Sequence, residues 1–246
     1  MRRLLLAVAI AGAFVILIGL GTWQLQRLEW KEALIAAAAE RPAAPAVPAP
    51  GPDEWGSRPA AFPIDDWRYR RVALTGSFAP VEAFFWIALG EPNGPLGGPG
   101  YMVLVPFVTE DGWTVLVNRG FIPEDRRDPA TRPDAAPPRG TVTVEGLIRR
   151  DDPPSFITPA PDTAARIFYA RDIGAIAEAL GAPGPIAPYQ IDLVAEETPA
   201  GGLPQAGESR ITFTNNHLGY ALTWYGLAAA LLGVSGVALW RRRARG

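Results

Sequence analysis

Hydrophobic positions divide this chain into two apolar ends and a patterned middle. Leu4 to Leu20 is uncharged and apolar, and Gly21, Thr22 and Trp23 extend it; Leu218 to Trp240 is a second uncharged run. A helix needs about 20 residues to cross roughly 30 Å of hydrocarbon. Transmembrane helices are therefore expected over 4–23 and 217–240. A short basic start, an apolar core and the small residues Ala36 to Ala39 also describe a cleaved signal peptide. The length of the run and its unbroken continuation, GTWQLQRLEWKEALIAAAA, favour a retained anchor.

The middle reads as strands. RYRRVALTGSFA alternates, EAFFWIAL follows, and GTVTVEGLIRR alternates strictly. GYMVLVPFVTEDGWTVLVNRGFIP reads as two strands joined at Glu110-Asp111-Gly112, where Asp-Gly is a strong hairpin signal. IAPYQIDLVAEE is a further strand. One helix is expected at RDIGAIAEALG, with Ile173, Ile176, Ala177 and Leu180 on one face and Gly181 as its stop. From Arg41 to Pro63 proline is too dense for helix or central strand, which predicts an extended linker or a surface strap. The expected fold is an α+β membrane protein: two transmembrane helices flanking one antiparallel β-rich extracytoplasmic domain with one or two helices. Its parts are a first span at 4–23, a helix extension and proline-rich linker at 24–65, the β domain at 66–214 and a second span at 217–240.

Arginines orient this arrangement. Arg2 and Arg3 precede the first span and Arg241, Arg242, Arg243 and Arg245 follow the second, so the positive-inside rule puts both termini in the cytoplasm. Trp23, Tyr220 and Trp224 then fall at the outer interface and Trp240 at the inner one. The net charge is −2, and setting those six arginines aside leaves −8. An acidic middle argues against nucleic-acid binding, and the expected non-protein partner is the lipid bilayer.

Composition removes much of catalysis. There is no cysteine, which excludes disulfides, thiolate metal sites and cysteine nucleophiles. With one histidine, His217, a zinc site would need mostly carboxylates. Asp151-Asp152 could pair as carboxylates or form a solvated turn. Arg119 could bind an anion such as a propionate or pair with a carboxylate. The glycine-rich Gly90 to Gly100 lacks the ending of a phosphate loop and is expected to be mobile.

His217 opens the second apolar run, with Asn215 or Asn216 as the cap. Trp240 lies 23 residues on, roughly 35 Å of helix, which puts the imidazole at the outer edge of the hydrocarbon. Tyr220 and Trp224 follow at i+3 and i+7, and Ala221 and Ala228 leave that face shallow. A flat apolar group could lie there with the imidazole as axial ligand to haem iron. The commoner role of a single interfacial histidine is simply to anchor a helix. Gly226, Ala230 and Gly233, with Ala7, Ala11, Gly12 and Gly19 in the first run, are expected to let the two helices pack closely.

GTWQLQRLEWK, RRVALTGSF, GYMVLVPF, VLVNRGFIP and NNHLGYALTWYGLA occur in this order and cover most of the chain. In these pieces, the last two being specific, the sequence resembles the Surfeit locus protein 1 (Shy1) family of cytochrome c oxidase assembly factors. The resemblance implies a non-catalytic factor that helps insert haem a into oxidase subunit I, with haem A synthase as a further partner and His217 as the iron ligand. Roles for Tyr220 and Trp224 come from spacing alone. No transit-peptide pattern is visible and the composition suits a GC-rich bacterium, so the expected location is the bacterial inner membrane with the central domain periplasmic. A scaffold that stabilises nascent subunit I without touching haem fits the same features, except for any need for His217. An outer-face hydrolase using Asp151 or Asp152 is the third reading.

Overall fold

Strand β2 (Arg71–Phe78) shows why the middle folds as sheet. It buries Val72, Leu74 and Gly76 and leaves Arg71, Ala73 and Thr75 half-exposed, the period of a strand with one covered face. The computed structural model describes residues 1–56, 62–209 and 216–243 of the 246. They form two compact units, one of the terminal helices and one running from Glu40 through the β-rich middle.

Strands β4 (Gly98–Thr109) and β5 (Thr114–Pro123) form the expected hairpin. Gly112 turns it at φ 82, its N–H donating to the Thr109 carbonyl at 3.0 Å. Both strands are buried almost without a break, because each face meets a different core. Val115 and Val117 face a cluster with Val72, Leu74, Phe107, Val144, Ile148, Tyr189 and Ile191. Leu104 and Leu116 face a second cluster under α4 (Ile173–Ala179), which supplies Ile173, Ile176 and Ala177. Asp172 caps α4 by accepting from the Ala175 N–H at 3.0 Å, and Gly181 follows at φ 61.

Among the described residues eight strands make one sheet. Beyond β2, β4 and β5 these are β1 (Val47–Pro48), β3 (Ala83–Leu89), β6 (Val142–Arg150), β7 (Ile167–Phe168) and β8 (Ile186–Leu193). Pairing runs β2–β6–β8–β5–β4, and β4 returns to β2 through Gly76–Phe78 opposite Phe107–Thr109, which closes a five-strand ring. The antiparallel expectation holds for most pairs. β5–β8, β1–β2 and β3–β7 are parallel, because loops and α4 intervene between these strands and can reverse the chain.

Two expectations are corrected here. Of the two forms expected of the proline-rich segment the structure has the strap, and it belongs to the β unit, which therefore begins at Glu40 and not at 66. β1 pairs along the β2 edge, where proline is tolerated, and Trp55 and Phe62 are both in the core. Trp55 Nε1 donates to the Pro50 carbonyl at 3.1 Å, so the strap is tied down by its own aromatic residues. The glycine-rich loop is clamped. Glu208 accepts from the Asn93 and Gly94 N–H groups at 2.9 and 2.8 Å, and Gln205 both accepts from the Leu96 N–H and donates to its carbonyl. Replacing the buried Glu208 by alanine removes three charge-assisted bonds, the third donated by Gln205 Nε2 at 2.6 Å. It is expected to cost about 1.5–3 kcal/mol for each such bond that water does not replace. Limited proteolysis should then cut within 90–97 at least tenfold faster.

The helical unit contains α1 (Arg2–Glu40) and α5 (His217–Arg243). Stretches Val8–Ala33 and His217–Ala238, with mean hydropathy 2.0 and 1.5, are each long and apolar enough to cross a bilayer. Most of their apolar residues point outward, Val15 and Val234 being 68% and 71% exposed, as a lipid-facing helix requires. α1 continues past the apolar run to Glu40, about 58 Å in all.

Candidate functional site

The α1–α5 contact is built from a short polar patch at the end of the first apolar run. On α5 the partly or fully buried positions include His217, Ala221, Trp224 and Ala228, a 4-3-4 spacing that keeps one stripe facing a partner helix. His217 sits opposite Gln24, and Tyr225 opposite Gly21 and Thr22, the order of an antiparallel pair. His217 Nδ1 lies 2.7 Å from Gln24 Oε1. The Tyr225 and Thr22 hydroxyls are 3.1 Å apart. A carboxamide oxygen only accepts, so this contact is a hydrogen bond when the imidazole carries a proton on Nδ1.

The expected site residues are thus only partly brought together. His217 and Trp224 share the seam; Tyr220 is 56% exposed and lies off it. Three residues past His217 falls short of a full turn, which rotates Tyr220 away from the stripe. Ala221 and Ala228 are each 1% exposed, so they let the helices approach instead of leaving an open shelf. The small residues expected at the contact also differ. Ala11, Gly12, Gly19, Gly226, Ala230 and Gly233 are exposed, and Gly21 is the buried glycine. The Ala7 side chain and Asn215 lie outside the described residues, and Asn216 immediately precedes the helix, its carbonyl accepting from the Tyr220 N–H.

A Cβ on Gly21 would come 2.7 Å from the Tyr225 ring. Gly21→Leu should push that ring aside, break the Thr22 contact and weaken the pairing by about 1–2 kcal/mol. The chain has no cysteine. Spin labels on cysteines introduced at Gln26 and Leu218 should therefore report a broadened interhelical distance.

Larger grooves lie elsewhere. One of about 700 Å³ runs between Phe78–Glu82 and the Pro129–Gly140 segment; another of about 520 Å³ lies along Gly233–Arg241 of α5. Neither is lined by His217.

The remaining candidates are structural. Arg119 is 3% exposed, donates from Nη1 to the Ala135 carbonyl at 2.6 Å and lies 5.7 Å from the Phe78 ring centroid. Its guanidinium is pushed down to about 10 by burial, which Glu82 opposes and Arg132 reinforces. Among the described residues no carboxylate forms an ion pair with it directly, since Glu82 is taken by the buried Arg132. The Asp151 carboxylate accepts from the Ile173 N–H at 3.0 Å and the Asp152 main-chain N–H donates to the Arg171 carbonyl at 2.9 Å, so both residues tie their turn to the start of α4. Gln24, Thr22 and Tyr225 were missed in the sequence reading. Their signal was polarity inside an otherwise lipid-soluble run, where such residues seek partners on a neighbouring helix.

These features define a two-span membrane protein with a mixed, ring-closed sheet domain between its spans and one imidazole held at the helix seam. The SURF1 family model matches residues 11–229. The chain belongs to the SURF1 family. It is 33% identical over 232 residues to a SURF1-like protein of Monosiga brevicollis, covering 89% of this chain and 81% of that one. It is 34% identical over 224 residues to Surfeit locus protein 1 of Homo sapiens, covering 86% and 70%. Against Surfeit locus protein 1 of Xenopus tropicalis it is 33% identical over 224 residues, covering 86% and 68%.

Proposed function

We propose that the chain is a non-catalytic assembly factor for a haem-copper cytochrome c oxidase, holding haem a through His217 before its insertion into subunit I. It would lie in the bacterial inner membrane with both termini cytoplasmic and the β domain periplasmic. The observation that carries this reading is the His217–Gln24 contact. An imidazole engaged at Nδ1 keeps its lone pair on Nε2, the state in which histidine ligates iron. The donor chemistry fits one axial position. Haem would supply a flat apolar body with charged propionates, and Tyr220, more than half exposed, offers it ring surface, while Trp224 in the seam offers less. Neither of the two grooves described above reaches His217.

The test is the haem spectrum of full-length protein purified from cells that make haem a. The wild type should show a Soret band, and His217→Ala should lose most of it. Equal haem content in the two proteins overturns the ligand assignment. The paired contacts at Gln24–His217 and Thr22–Tyr225 also favour a second reading, in which His217 only joins the helices and the protein is a scaffold for subunit I. In that case His217→Asn, which can still bond to Gln24, supports normal oxidase haem content.

A further inference from the structure

We infer that Gln24 is a positioning residue for His217: its side-chain oxygen selects the Nδ1–H tautomer and presents Nε2 as the donor nitrogen. This deepens the reading above and rests on it only for the haem part. The two residues are 193 positions apart in the chain, and only the pairing of α1 with α5 brings them to 2.7 Å. Imidazole with no bias divides between two neutral tautomers, and a hydrogen bond to one nitrogen decides which nitrogen is left to bind a metal. An acceptor on the far nitrogen also fixes the ring plane and raises the basicity of the donor, and losing such a partner typically weakens metal binding about 10–100-fold. Gln24 can do this without adding charge. A carboxylate in its place would also accept, but would have to be desolvated at the edge of the hydrocarbon. The neighbouring Thr22–Tyr225 contact separates two effects. It holds the same helices together and does not touch the imidazole.

Because His217 is the only histidine, full-length protein labelled with ¹⁵N-histidine gives a single pair of ring nitrogens by NMR, with no haem needed. At a pH where the ring is neutral, the wild type should show a protonated Nδ1 and an unprotonated Nε2. Gln24→Leu should move most of the population to the Nε2–H form. In haem titrations Gln24→Leu should bind about 10–100-fold more weakly. Gln24→Glu should keep the wild-type tautomer and bind haem with a lower midpoint potential, because a stronger acceptor makes the imidazole more electron-rich. Tyr225→Phe should leave both tautomer and haem affinity unchanged. An unchanged tautomer in Gln24→Leu overturns the inference, and so does an equal haem loss in Tyr225→Phe, which would make the effect one of helix packing. If His217→Ala binds haem like the wild type, the ligand reading falls and the haem half of the inference falls with it, while the NMR result still decides the tautomer. If His217→Ala loses haem and Gln24→Leu does not, only the role of Gln24 is overturned.

Discussion

Asp192→Ala lowers the stability of the β domain by about 3–5 kcal/mol, read as a melting temperature lower by roughly 10 °C in the tryptophan fluorescence of the full chain. Asp192, in β8, is 4% exposed. Its Oδ1 accepts from Asn118 Nδ2 at 3.1 Å and Gln190 Nε2 at 2.7 Å, and its Oδ2 accepts from Ser209 Oγ at 2.5 Å and faces Arg149 Nε at 3.7 Å. Arg171 stands in the same cluster, and the Arg149 and Arg68 guanidiniums lie 4.9 and 4.8 Å from the Tyr69 ring. Removing the carboxylate leaves three donors without their acceptor and takes a counter-charge from Arg149 and Arg171, and that exposes the cost of having desolvated these groups. Burial alone would raise the Asp192 pKa, but Arg149, Arg171 and the Ser209 and Gln190 hydrogen bonds outweigh it and hold the group below its ordinary value. The sign follows: the unfolded chain takes up this proton first as pH drops. The stability contributed by Asp192 is therefore complete above about pH 5 and is lost as pH falls through the unfolded value near 4 and then the folded one. Asp192→Asn should flatten that acid limb. An acid limb unchanged in Asp192→Asn would remove the charge argument.

Gly120→Ala is expected to prevent the β domain from folding. Gly120 has φ 125, a conformation that side chains rarely adopt, and a Cβ there would come 2.2 Å from the Gln205 carbonyl oxygen and 2.6 Å from the Ala206 nitrogen. These atoms and the Gln205 carbonyl carbon, at 2.3 Å, are all backbone, so no side chain can swing aside. That backbone is itself fixed: Phe121 and Gln205 exchange both of their main-chain hydrogen bonds at 2.8 Å. The whole Asn-Arg-Gly triplet becomes intelligible here. Asn118 Oδ1 accepts from the Gly120 N–H at 3.0 Å while its Nδ2 reaches Asp192, Arg119 ties down Ala135, and Gly120 admits the returning chain. Soluble, wild-type-like near-ultraviolet circular dichroism from Gly120→Ala would show that the backbone yields and would refute the clash.

The comparison of pattern and structure turns on how far apart the deciding residues lie. The alternation of RRVALTGSF, the Asp-Gly turn at 111–112, the face of α4 and the two apolar runs are local, so each could be read from a few adjacent residues. His217 could also be found this way, as the lone imidazole at the lip of an apolar run. Proline density gave the extended backbone of the strap but not its docking, which depends on Trp55 and Phe62 reaching the core. Glycine content gave the loop at 90–97 its local freedom, and Glu208, 115 positions after Asn93, took that freedom away. The seam followed the same logic: spacing placed His217 and Trp224 on one stripe, and only the packing of α1 showed that Ala221 and Ala228 are filled and that Gln24 faces the imidazole. Short-range sterics and hydrophobic periodicity thus determined which segments are helix, strand, turn and span. Ring closure, the clamp and the partner of His217 join residues from about 30 to almost 200 positions apart, and were decided only once burial and desolvation had brought those residues together.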